Sequence, residues 1–93
     1  MTIGVMRLDL RFPLPQSLKE KRMLLKSLTD RVRKQFNVAV AELDGMDVWQ
    51  SSLIALAAVG ADSARVHQIL SHAVDFIRAQ RNLEVVKEHL ELF

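Results

Sequence analysis

The chain has 93 residues, of which 49% are hydrophobic and 26% charged, with a formal net charge of +2 and no cysteine. This length predicts a single domain over residues 1–93, and the apolar fraction is typical of a folded domain rather than a disordered chain. The lack of cysteine excludes disulfides and thiolate zinc sites. Together with an N-terminus that lacks a secretory signal pattern, it predicts a cytoplasmic protein.

The first part of the chain predicts a strand followed by a helix. Side chains from Thr2 to Phe12 alternate between apolar and polar, which is typical of a half-buried β-strand. Two prolines then end the pattern and indicate a loop. Ser17 and Glu20 have the spacing of a capping box, so a helix is predicted from about Leu18 to Phe36.

The rest of the chain predicts three strands and a second helix. A second strand is predicted over residues 37–43, and the pair 44–45 (Asp-Gly) indicates a hairpin leading to a third strand over 48–59. The pattern over residues 62–80 predicts a helix with Asp62 as its N-cap. A final strand is predicted over residues 83–93. The order βαββαβ predicts an α+β, ferredoxin-like split β-α-β fold. Its four-stranded antiparallel sheet carries both helices on one face, with the first and third strands central.

The first predicted helix is strongly basic, since the segment from Ser17 to Phe36 holds seven of the thirteen Lys and Arg residues. Four of them share an arc of roughly 60° beside the apolar stripe: Lys19, Arg22, Lys26 and Arg33. A row of this kind can contact phosphates without reading bases, so these four are candidate nucleic-acid-binding residues and RNA is a candidate partner. A solvated, solubilising helix face is the alternative.

The third predicted strand is apolar on both sides, although two helices can cover only one face of the sheet. This predicts that the uncovered face packs on another chain; a tolerated apolar centre is the alternative. The second strand should be an edge, yet it lacks the Pro or Lys that discourages strand pairing. We therefore expect a homo-oligomer, a dimer or higher, with candidate interface residues Val38, Val40, Leu53, Ala55 and Ala57.

No catalytic, metal or cofactor site is predicted. Three polar residues follow one another at four-residue spacing on the second helix: His67, Ser71 and Asp75. We expect them on a water-facing surface without an oxyanion hole or pocket, and the protein is predicted not to be an enzyme. Three carboxylates near the hairpin could meet a hard cation, but turn chemistry explains the aspartates equally well: Glu42, Asp44 and Asp47. The longest apolar run, Leu53 to Val59, is too short to cross a bilayer, so no membrane partner is expected.

Three stretches together resemble a known family: SLKEKR at 17–22, FNVAVAEL at 36–43, and DVWQ at 47–50 followed by an apolar strand. They are similar to the YlxP-like family of small bacterial proteins, a domain of unknown function. The resemblance implies a ferredoxin-like fold. Because genes of the family often lie near those for translation and ribosome-maturation factors, it also implies a cytoplasmic accessory role around RNA or the ribosome. The resemblance supplies no catalytic residues. The surfaces leave an alternative function, a homo-oligomeric protein-interaction module without nucleic acid.

Overall fold

The computed structural model describes residues 1–93 and contains six elements in the predicted order. They are β1 Thr2–Arg11, α1 Leu18–Gln35, β2 Ala39–Asp44, β3 Ser51–Gly60, α2 Ser63–Arg78 and β4 Glu84–Leu92. The four strands form one antiparallel sheet in the order β2-β3-β1-β4. The predicted ferredoxin-like architecture is therefore confirmed, with β1 and β3 in the centre and β2 at an edge.

The residues predicted to cap the helices do so. The Ser17 hydroxyl accepts the backbone N–H of Glu20 at 3.1 Å, and Asp62 accepts that of Arg65 at 2.8 Å. The return arm of the capping box differs from the prediction. The Glu20 carboxylate accepts the N–H of Gln16 at 2.8 Å, one residue before the cap.

Both helices pack on the same face of the sheet and close a single core of sixteen buried hydrophobic residues. The sheet side of the core is formed by alternate residues of the central strands. Leu8 and Leu10 of β1 and Leu56 of β3 point toward the helices and are buried. The helices cover these residues with apolar stripes at three- and four-residue spacing, such as Leu28 on α1 and Leu70 on α2.

The third strand begins later than predicted, at Ser51 rather than Val48. Gly45 has a positive φ of 85°, and its carbonyl accepts the N–H of Val48 at 3.0 Å, so the chain is still turning where the apolar pattern suggested a strand. The β2–β3 connection therefore spans residues 45–50, and Trp49 lies in this loop at 37% exposure.

The sheet face turned away from the helices, here called the open face, has two halves. Its apolar half lies on β2 and β3 and consists of Ala39, Ala41, Leu53, Ala55, Ala57 and Val59. Its charged half lies on β1 and β4 and carries Arg7, Asp9, Arg11, Lys87, His89 and Glu91, with the apolar Ile3 and Val5 at one end of β1. No residue of the open face belongs to the core, so the prediction of a central strand that is apolar on both sides but covered by helices on only one is confirmed.

Candidate nucleic-acid interface

The exposed side of α1 presents all four basic residues that the sequence singled out: Lys19, Arg22, Lys26 and Arg33. Three of them line one shallow groove of about 330 Å³ between α1 and the edge strand β2. We call this groove the basic groove; its other lining residues are Leu25, Thr29, Asp30 and Glu42. Lys19 lies outside it, one helical turn before Arg22. The structure therefore places three of the four predicted cations in one groove, which also contains the carboxylate of Asp30.

Each cation of the basic groove has a partner within the protein. Lys26 donates to Asp30 Oδ2 at 2.7 Å, and Arg33 approaches Asp30 Oδ1 at 3.5 Å. The hydrogen bond from Lys26, with the nearby charges of Lys26 and Arg33, holds the pKa of the Asp30 carboxyl below its usual value. Arg33 also donates to the backbone carbonyl of Val40 at 2.9 Å, and Arg22 lies 3.7 Å from Asp47. All these side chains are about half exposed or more, so the ion pairs are weak and exchangeable.

A buried ion pair that was not predicted from the sequence lies beneath the groove. The Lys21 side chain is fully buried, and its ammonium donates to Glu42 Oε2 at 3.0 Å and to the Gly45 carbonyl at 2.8 Å. The buried hydroxyl of Ser52 donates to the same Glu42 oxygen. Together Lys21, Glu42 and Ser52, here called the buried network, connect α1, β2, β3 and the hairpin loop. Glu42 also lines the basic groove. Because Glu42 is paired with the buried Lys21, its negative charge offsets little of the positive charge of the groove.

Comparison with known sequences identifies the family. A family model described as "Protein of unknown function (DUF503)" matches residues 3–90, almost the whole chain. The chain belongs to this family. It is also similar to "Uncharacterized protein YlxP" of Bacillus subtilis (strain 168), with 34% identity over 77 residues, which is 83% of this chain and 84% of that protein. The predicted YlxP-like resemblance is confirmed.

The stretches that carry the resemblance to the DUF503 family converge on the buried network. Lys21 lies within SLKEKR, Glu42 lies within FNVAVAEL, and Ser52 follows two residues after DVWQ. Segments far apart in sequence therefore meet at one polar contact inside the domain. Every buried side-chain nitrogen and oxygen of the network has at least one hydrogen-bond partner.

The candidate oligomer-interface residues fall on two sides of the sheet. Leu53, Ala55 and Ala57 lie on the open face and are partly exposed. Val38 and Val40 instead pack against the core on the helix side, and Val38 precedes the first residue of β2. A contact along the β2 edge would therefore use its backbone rather than these two side chains.

The polar residues of α2 differ in one respect from the prediction. His67, Ser71 and Asp75 line a small groove of about 230 Å³ beside β4, where none was expected. The Ser71 hydroxyl lies 3.4 Å from His67 Nδ1, and Arg78 forms an ion pair with Glu88 at 3.2 Å along the same groove. No three His, Asp or Glu side chains are placed to share a metal ion, and neither helix is long and apolar enough to cross a membrane.

Proposed function

We propose that the protein is a small cytoplasmic accessory factor, without enzymatic activity, that binds structured RNA through the basic groove and Lys19. The observation that carries this proposal is the gathering of Arg22, Lys26 and Arg33 along one groove, on a helix with a net charge of +5. The likeness to YlxP-like proteins, whose genes often neighbour those of translation factors, supports RNA as the partner.

The ion pairs within the groove are compatible with phosphate binding. An ion pair between exposed side chains contributes little free energy, so a phosphate can replace the carboxylate at low cost. Asp30 holds Lys26 and Arg33 in the groove while no phosphate is present. Binding then exchanges one anion for another, and the remaining N–H groups of Arg33 are suited to a phosphate oxygen.

The chemistry of the groove predicts binding by shape and charge rather than by base sequence. Its charged donors are Lys and Arg at the helical spacing of α1, and it contains no aromatic residue on which a base could stack. If all four cations meet phosphates, the logarithm of the association constant should fall with the logarithm of salt concentration with a slope of about −3 to −4.

The test is titration of a fluorescently labelled stem-loop RNA with the full chain at several salt concentrations. In one variant, glutamine replaces the four proposed contacts: Lys19, Arg22, Lys26 and Arg33. In a matched control, glutamine replaces four exposed arginines elsewhere: Arg11, Arg65, Arg78 and Arg81. We expect the first variant to lose most of its affinity and its salt slope, and the control to lose much less. Equal losses, or unchanged affinity of the first variant, would refute the proposal.

A second variant, Asp30→Asn, has the opposite expected effect. It releases Lys26 and Arg33 from their internal carboxylate, so RNA should bind more tightly than to the natural chain. Asp75→Asn, which removes an exposed carboxylate on the far helix, raises the net charge equally and is the matched control. Tighter binding in both variants to the same extent would indicate a general effect of net charge and contradict a specific groove.

A further inference from the structure

We propose that the open face binds a second copy of this chain, forming a two-fold symmetric dimer in which the two sheets pack face to face. The apolar half of this face is made of small or branched side chains and includes Val59 at 57% exposure. Alanines dominate it, so a second sheet can approach closely over a flat surface.

The arrangement of charge on the open face selects a second copy as the occupant. The charged half mixes both signs across neighbouring strands: Asp9 lies opposite Lys87, and Glu91 contacts both Arg7 at 3.4 Å and His89 at 3.3 Å. Such a mixture does not attract a polyanion, and the apolar half offers no aromatic platform for bases. In a two-fold dimer each half of this surface can meet its own copy, and charges of opposite sign can then pair between the copies.

Symmetry fixes how the two copies align. A two-fold axis parallel to the strands would place the charged half of one copy over the apolar half of the other. An axis running across the strands keeps each strand over its own copy, so that the apolar faces of β2 and β3 meet their counterparts. In the register of the sheet, Ala41, Ala55, Arg7 and His89 form the middle row. With the axis on this row, Lys87 lies opposite the partner's Glu91, and Asp9 lies opposite the partner's Val5. Arg7 faces the partner's Arg7, and each of the two keeps the contact with its own Glu91.

The area of the face predicts a weak dimer. Four strands at about 4.8 Å spacing and nine residues at about 3.4 Å give roughly 590 Å² per copy. The two copies together bury roughly 1,200 Å², at the lower limit of stable interfaces, so we expect a dissociation constant in the micromolar range.

The decisive experiment exchanges charges between copies. Lys87→Glu and Glu91→Lys are made as separate variants, and sedimentation velocity measures association of each alone and of the two mixed. Each variant alone places like charges opposite each other twice, and should be about tenfold or more weaker than the natural dimer. The mixture places opposite charges at both contacts, so it should form a heterodimer at least about as tightly as the natural chain does. Intramolecular damage cannot produce this recovery on mixing.

Two further measurements complete the test. Ala55→Glu puts a charge at the centre of the apolar half and should give a monomer, whereas Arg81→Glu, in the exposed turn between α2 and β4, should still dimerise. Should Ala55→Glu fail to fold, the charge exchange alone decides. The proposal is overturned if the natural chain is a monomer at all concentrations up to about 1 mM. It is equally overturned if Ala55→Glu dimerises normally, or if mixing the two charge variants restores nothing.

Discussion

Replacing the buried Lys21 should lower the free energy of unfolding strongly, although by less than replacing its partner, Glu42. Truncating one member of a buried pair costs about 3–5 kcal/mol when the remaining charge stays uncompensated. In Lys21→Met, the remaining charge is Glu42, whose side chain is 24% exposed and still bonded to Ser52. Water can reach it, so we expect a loss of about 2–3 kcal/mol. In Glu42→Gln, the remaining charge is the Lys21 ammonium, whose side chain is fully buried, so we expect about 3–5 kcal/mol.

Urea and thermal unfolding followed by circular dichroism measure these losses. For a domain of this size, the loss expected for Lys21→Met lowers the unfolding midpoint by roughly 10–20 °C. Lys19→Met, the same substitution on an exposed residue two positions away, is the control and should change stability by no more than about 0.5 kcal/mol. The double variant of Lys21 and Glu42 should be more stable than Glu42→Gln alone. The reasoning is refuted if Lys21→Met is as stable as the control, or if Glu42→Gln is the milder substitution.

Three further predictions concern a close approach, a surface carboxylate and a helix cap. In Gly4→Ala the new Cβ would lie 2.5 Å from a Val66 methyl carbon, so overpacking should cost about 1–3 kcal/mol in a urea titration. The lowered pKa of Asp30 means that its ion pairs stabilise the fold above the unfolded-state pKa and that this contribution is lost as pH falls through the folded-state pKa. Unfolding of Asp30→Asn should therefore depend less on pH in this acidic range, and a parallel pH profile would contradict the pairing. Ser17→Ala should cost about 1 kcal/mol by the loss of its bond to the N–H of Glu20, and Ser17→Asp should retain the stability.

The sequence was sufficient for the element order and both N-caps, because these depend on local spacing. The position of Lys21 was also readable, since it precedes Leu25 by four residues, Leu28 by seven and Val32 by eleven, and so lies on the buried stripe. A lysine on such a stripe requires an acidic partner in the core. Ser52 gave a similar signal, because it alternates in step with the buried residues of β3.

The identity of the partner could not be read from local patterns. Pairing between β2 and β3 shifts register between Glu42 and Asp44, and this bulge places Glu42 rather than Asp44 over Ser52 and Lys21. The start of β3 was misjudged for a related reason. Val48 and Trp49 have strand-forming side chains, but a positive-φ glycine sets a longer turn that leaves both exposed.

The contact between Arg33 and the carbonyl of Val40 has a consequence for solubility. An edge strand with a free backbone acceptor is a template for further strands, and β2 carries no proline or lysine to prevent such growth. Here the Arg33 guanidinium of α1 donates to the Val40 carbonyl of β2, so a side chain from another element of the fold blocks this acceptor. Substitutions at Arg33 should therefore shorten the storage life of concentrated protein, with thioflavin-positive aggregates appearing sooner than in the natural chain.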